Sequence, residues 1–266
     1  MVDHRRRHAT AAKALDGLTA ELDLAASVLT DGLSSRLSKA LVYDAQKATN
    51  VNAFQFGNEI ANLDHYELGE RVFRISSAPV IGEDDQTLGE VIVPAWLEPL
   101  RGLGAEAPLP PDETVQPAVR AMLRHAGYKP SGRGKPSSEY LRGAAQEGGL
   151  PAINLVVDLG NAVSLHSGLP ISVVDLGRLT APLRVRVADD DAAFVFNQSG
   201  QEIRLRGLPC LHDAAGPCAN AVKDAQRTKT DASTHAVLCV LWGARAVATR
   251  GRAASTWHRE LCERKL

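Results

Sequence analysis

The side chains able to do chemistry in this sequence are few, and none falls into a ready-made triad. Gly-x-Ser-x-Gly and His-Glu-x-x-His are both absent, so neither a nucleophile elbow nor a zinc-peptidase helix can be assigned. Cys210, His212 and Cys218 could offer two thiolates and an imidazole to zinc, but a fourth ligand is missing and the spacing fits no common site. With Cys239 and Cys262 they make four cysteines and no CxxC pair, and no secretory leader is recognisable. Buried free thiols in a reducing cytosol are therefore expected, with no metal and no cofactor. His166 lies on a helical stretch and reads as a satisfied structural histidine. Asp158 could serve as a base or could bond a nearby amide or arginine; its place inside a helix favours the structural role, and Asp175 beside a turn reads the same way. Gly132-Arg-Gly-Lys-Pro136 is too short and wrongly followed for a dinucleotide or P-loop site.

Charge is more informative than any single residue. The formal net charge of −1 excludes a globally basic nucleic-acid coat protein. Its distribution is uneven: Val119 to Arg142 carries a net +5, and so does the stretch from Val222 onward. Two basic segments are what a phosphate-backbone ligand favours, although a solvated surface has the same look. A hydrophobic content of 44% with 23% charged residues is that of an ordinary globular protein, and no apolar run reaches membrane-spanning length. Aromatics at 5% leave the core to Leu, Val and Ala.

The elements that must position these residues centre on Gly149 to Leu179. Asn154 stands where an N-cap belongs, and Leu155, Val156, Leu159, Ala162 and Val163 follow on one helical face. Gly168 supplies a left-handed terminus, Pro170 forbids continuation, and Ile171, Val173 and Val174 read as a short strand. Upstream, Arg5 to Arg7 read as part of a disordered terminus, and Leu15, Leu18, Leu22, Ala25, Leu29 and Leu33 form an amphipathic stripe broken near Gly32. Residues 50–68 are ambiguous. Arg71 to Ile75 and Gly89 to Val93 read as strands around a polar loop. Pro94, Pro99, Pro108, Pro110 and Pro111 then suggest a boundary. A helix over Thr114 to His125 with Val115, Val119, Met122 and Leu123 inward is closed by Gly127, and Ser137 or Ser138 caps another through Gln146. Short strands are expected at Leu183 to Val187, Phe194 to Phe196, Ile203 to Leu205 and Ala236 to Leu241. A tail helix over Ser255 to Arg264, or a poorly ordered end, completes the reading. Helices followed by short antiparallel-length strands argue α+β rather than a doubly wound sheet.

One set of spacings is more specific. Asn154, Val157, Asp158, Asn161, Ser164, Leu165, Gly168, Pro170, Asp175, Leu176 and Leu179, with Pro136-Ser-Ser-Glu139 before them and Gln226-Arg-Thr-Lys229 after, resemble the tRNA-editing (B3/B4-type) domain of the bacterial phenylalanyl-tRNA synthetase β subunit. The resemblance is closer to the freestanding relatives of that domain and covers roughly residues 115–243. It implies an α+β fold with a mixed or antiparallel sheet and packed helices, divided as an extension over 1–105, an editing-like domain over 106–245 and a tail over 246–266. It further implies a cytoplasmic protein with tRNA or other RNA as partner, no membrane and no metal, and a homodimer as one possible assembly. Aminoacylation is not expected. The function implied is RNA binding with trans-editing hydrolysis of misacylated aminoacyl-tRNA, against two alternatives: a non-catalytic RNA-binding module, or an amino-acid or small-molecule binder. Editing of this type needs only orientation and oxyanion stabilisation of an activated ester, so it leaves few marks in sequence. No catalytic residue is named. Asn161, Ser172, Gln226 and Thr228 are candidates to line the pocket, and Arg133, Lys135, Arg227 and Lys229 to hold RNA, with Arg227 and Lys229 open to either use. Two departures bear on specificity: Ser172 stands where the synthetases carry histidine, and no glutamate occurs in Gln226 to Lys229.

Overall fold

A nine-residue apolar strand, Ala236–Ala244, organises the architecture: from Val237 onward every residue in it is buried, and a run with no polar alternation suits the covered centre of a sheet. The computed structural model describes residues 61–68, 71–79, 87–124, 127–181 and 183–264. The basic start, the leucine stripe and the first part of the ambiguous 50–68 stretch lie outside them. The strands are β1 (Ala61–Leu68), β2 (Arg71–Pro79), β3 (Ile171–Asp175), β4 (Arg184–Val187), β5 (Ala193–Val195), β6 (Glu202–Arg204), β7 (Pro209–Asp213), β8 (Gly216–Asn220) and β9 (Ala236–Ala244). The helices are α1 (Val115–Arg124), α2 (Ser137–Glu147), α3 (Leu155–Ser167) and α4 (Ala248–Glu263). The main sheet runs β1-β2-β9-β3, a second runs β4-β7-β8, and β5-β6 forms a ribbon. Every described pairing is antiparallel. The fold is α+β.

The central helix behaves as its sequence requires. Asn154 Oδ1 accepts from the Val157 amide at 3.0 Å, and Gly168 closes the helix with φ 76°. Leu155, Val156, Leu159, Ala162 and Val163 are all buried. Asn154→Ala should therefore cost about 1 kcal/mol, read as a lower denaturation midpoint with an unchanged m-value. Gly160 lets α3 approach β3: a Cβ there would meet Val173 Cγ2 at 2.9 Å. Beneath the helix, buried Asp158 takes Arg101 Nη2 at 2.7 Å and the Ile153 amide at 3.0 Å. At its far end Arg250 from α4 donates to the carbonyls of Ser167, His166 and Pro110, serving groups that a helix terminus leaves unsatisfied.

Three expectations need correction. Gly89 to Val93 is no strand: Leu88–Glu90 is a 3-10 turn, and the Leu88 and Gly89 amides go to Thr234 and Ala232 carbonyls. Glu90 accepts from the Thr87 amide and hydroxyl; Val91 and Val93 pack against the core with Ile92 87% exposed, so the alternation is kept, but the segment joins none of the described sheets. Neither Ser137 nor Ser138 caps α2. Pro136 is the N-cap, and the Ser137 amide is satisfied by the Ala221 carbonyl at 2.9 Å, so no hydroxyl is needed. The tail helix begins earlier than Ser255, at Ala248, and buries Ala254, Trp257 and Leu261. Strands β7 and β8 were not expected. All five residues of β7 are buried, and that erases the period-two signal.

Candidate functional site: a buried acid beside three lysines

Where β8 ends, Asn220 folds the chain back. Its Oδ1 accepts from the amides of Val222 (2.8 Å) and Lys223 (3.1 Å), and the Ala225 amide returns to the Cys218 carbonyl at 2.8 Å. This Asx-type turn thrusts Lys223 outward and Asp224 inward, against Ser172 on β3. Ser172, 1% exposed, is fixed on both sides: its hydroxyl donates to the Asn220 carbonyl (3.2 Å) and accepts from the Trp242 indole (2.9 Å).

Asp224 is partly exposed as a residue, yet its Oδ1 is shut from solvent and has no hydrogen-bond partner. Burial pushes its pKa up to about 6, against the opposing pull of the Ser172 hydroxyl, the Lys229 charge and the backbone of Asn220 and Val173. Lys229 follows the 3-10 turn Gln226–Thr228 and donates one Nζ proton to the Phe196 carbonyl at 2.6 Å. Burial pulls its pKa down while Asp224 resists. Lys223 is pulled down too, by burial first and then by Lys229. The Lys223 ammonium stands 4.9 Å from the Phe196 ring centre and 5.0 Å from that of Tyr140, and Lys135 stands 4.4 Å from the same Tyr140 ring. Ring faces carry negative potential, which lets unpaired ammonium groups gather there.

The expected site residues divide. Ser172, Lys229 and Lys135 fall in this cluster. Thr228 is wholly buried, with its hydroxyl shared between the Cys218 and Ala225 carbonyls at 3.3 Å. Gln226 and Asn161 are half-buried and make no side-chain hydrogen bond among the described residues, and Arg133 is exposed. Arg227 is bound bidentately to Asp213 (2.6 and 2.8 Å) and to the Gly216 carbonyl. Asp213 has no exposed side chain and also accepts the Thr180 and Ala215 amides. Arg227→Ala should thus strand a buried carboxylate, lowering stability by about 2 kcal/mol because a third of Arg227 remains in water; a thermal melt reads it. Asp158, Asp175 and His166 are structural. Asp175 takes the Gly177 amide and Thr234 hydroxyl, and His166 Nε2 meets the Leu100 carbonyl at 3.1 Å. Cys210, Cys218 and Cys239 are buried free thiols. Among the described residues no group of three or more His, Cys, Asp or Glu could hold a metal ion, and no helix is long and apolar enough to cross a membrane. Sequence reasoning missed Asp224, Lys223, Tyr140 and Phe196. The available signal was an Asn opening a turn just ahead of a Lys-Asp pair.

An antiparallel α+β module with a polar cluster wedged between β3 and the turn after β8 is thus what the chain builds. The B3/4 domain model matches residues 129–263, half of the chain, and the protein belongs to that family. Its curated relatives include the phenylalanine–tRNA ligase beta subunits of Brucella abortus and Brucella suis. Each is 28% identical over 120 residues, 44% of this chain and 15% of the relative. The match thus spans about 15% of the length of those relatives. A solved N-terminal fragment of the Pyrococcus horikoshii phenylalanyl-tRNA synthetase beta-subunit aligns over 39% of this chain and 40% of its own, at 14% identity and a TM-score of 0.31.

Proposed function

We propose that the protein acts on tRNA, taking the aminoacylated 3′ end into the cluster around Asp224 and hydrolysing the ester that joins the amino acid to the terminal ribose. The observation that carries this reading is the Asp224 carboxyl: buried, with a free oxygen and a pKa held at about 6. A base of that strength is ionised at neutral pH yet accepts a proton readily. Entry of the 3′ end opens the shut Oδ1 of Asp224 to one water, and Asp224 takes a proton from that water as its oxygen bonds to the ester carbonyl carbon. The carbonyl electrons move onto oxygen, and the resulting oxyanion faces Lys229, which has two ammonium protons left after its bond to Phe196. Collapse expels the ribose oxygen, which takes the proton back from Asp224, leaving free amino acid and free tRNA. Ser172, pinned by Trp242 and Asn220, stands beside the carboxyl. The family membership supports the choice of substrate class, since the relatives are tRNA ligase subunits.

The test is deacylation of a panel of mischarged tRNAs by the purified protein, beside a no-enzyme control. Turnover of one or two species is expected. No turnover of any species, with salt-sensitive tRNA binding intact, would replace this reading with that of a binding module.

A further inference from the structure

The lysines have a feature that ester hydrolysis does not explain. Lys135 and Lys223 come from segments far apart in sequence, yet both ammonium groups rest on the Tyr140 ring. Among the described residues neither forms an ion pair. Glu139, whose carboxyl feels Lys135, is already held bidentately by Arg120 at 2.7 and 2.6 Å. Asp224 acts on Lys229, not on this pair.

The frame that brings both lysines to this ring is tied together by hydrogen bonds and close packing. The Tyr140 hydroxyl donates to the Gly132 carbonyl at 2.9 Å, locking ring and basic loop together. The Tyr128 hydroxyl packs closely on Gly134, and a side chain at that position would have to push the ring aside. The Ser137 amide donates to the Ala221 carbonyl, and this bond fastens the Lys135 loop to the turn that carries Lys223. One turn therefore presents Lys223 to the aromatic rings and Asp224 to the buried acid site.

We infer that Lys135 and Lys223, seated on Tyr140, form a phosphate clasp that takes the last phosphodiester of the RNA. This rests on the tRNA reading above. The chemistry of the 3′ end fits it, because the terminal phosphodiester is one ribose away from the aminoacyl ester and Lys223 is one residue away from Asp224. A diester with two unesterified oxygens offers one to each ammonium, and the aromatic walls keep the ammonium groups from being quenched by solvent.

The experiment uses the full chain with two probes. Adenosine 5′-monophosphate is compared with adenosine by calorimetry, and a CCA-ended RNA minihelix is titrated by fluorescence anisotropy across salt concentrations, for wild type, Lys135→Ala, Lys223→Ala and the charge-removing Lys223→Gln. The nucleotide should bind at least tenfold more tightly than the nucleoside, and each lysine variant should erase that difference. Each should also weaken the minihelix about tenfold and lower the salt slope by about one. Equal binding of nucleotide and nucleoside would overturn the clasp. Nucleotide binding that the variants abolish, with minihelix affinity unchanged, would assign the clasp to free nucleotides and overturn its role with RNA. Thermal melts of both Lys223 variants separate these results from misfolding. Failure of the editing reading is distinguishable, since it would leave deacylation absent while the clasp results stand.

Discussion

Asp224→Asn is expected to lower the rate of aminoacyl-ester hydrolysis by about 10²–10⁴-fold, the usual contribution of a positioned general base, while minihelix affinity stays near that of wild type. The wild-type rate should rise with pH and level off above about 6, where burial holds the Asp224 pKa; the residual rate of the variant should lack that step. The same substitution has an opposite effect on stability. In the unfolded chain an aspartate ionises near 4, so between about 4 and 6 the folded protein holds a proton that the unfolded chain releases. The native state therefore loses stability as pH rises through this window, and above 6 it carries the full penalty of a buried charge. Asn carries no such charge, so the variant should be more stable than wild type by on the order of 2 kcal/mol at pH 7 and should lose that advantage by pH 4. Loss of rate with a raised melting temperature separates a catalytic carboxylate from a structural one. A variant that is both active and destabilised would show that Asp224 only supports the fold.

Arg101→Met should be the most damaging single change to the fold, costing about 3–5 kcal/mol and lowering the melting temperature by roughly 10 °C. Arg101 is 8% and Asp158 2% exposed, and their 2.7 Å contact joins the 3-10 segment Ala95–Arg101 to the underside of α3. Glu98 flanks the same guanidinium at 2.6 Å but lies in solvent, so it cannot replace Asp158 as a partner. Removing the arginine leaves a carboxylate with only the Ile153 amide to bond. The double variant Arg101→Met/Asp158→Leu should recover most of the loss, because two apolar groups of similar size need no partner. A double variant no more stable than Arg101→Met would mean that the Ile153 contact, rather than the ion pair, holds the entry to α3.

What could be read from sequence was what is encoded locally. Asn154, the buried face beginning at Leu155, and Gly168 fix both ends of α3 through contacts no more than a few residues apart. The inward set of α1, Val115, Val119, Met122 and Leu123, is legible for the same reason. β7 and β8 carry no such signal, because buried strands lack alternation and the Cys210 to Cys218 stretch suggests thiol chemistry before it suggests a sheet. Gly89 to Val93 reads as a strand by composition, and tertiary contacts with Ala232 and Thr234 decide otherwise. The site divides the same way. The motif spacings lead to Ser172 and Lys229. Asp224 gains its character from burial, opposed by Ser172, Lys229 and the backbone of Asn220 and Val173, groups that come together only in the folded chain. Arg227 looks like a ligand for phosphate until Asp213 is found beneath it.

The strand order β1-β2-β9-β3 has a consequence for the chain as it leaves the ribosome. The two flanks of the main sheet are synthesised well before the strand that joins them. Until Ala236–Ala244 emerges, the edge of β2 and the edge of β3 both present open rows of amides and carbonyls. Such edges recruit other chains, and pairings of this sequence separation form slowly. Synthesis stalled short of β9 would therefore release a fragment prone to aggregate, and the chain would be most dependent on chaperones in the interval between the emergence of β3 and that of β9.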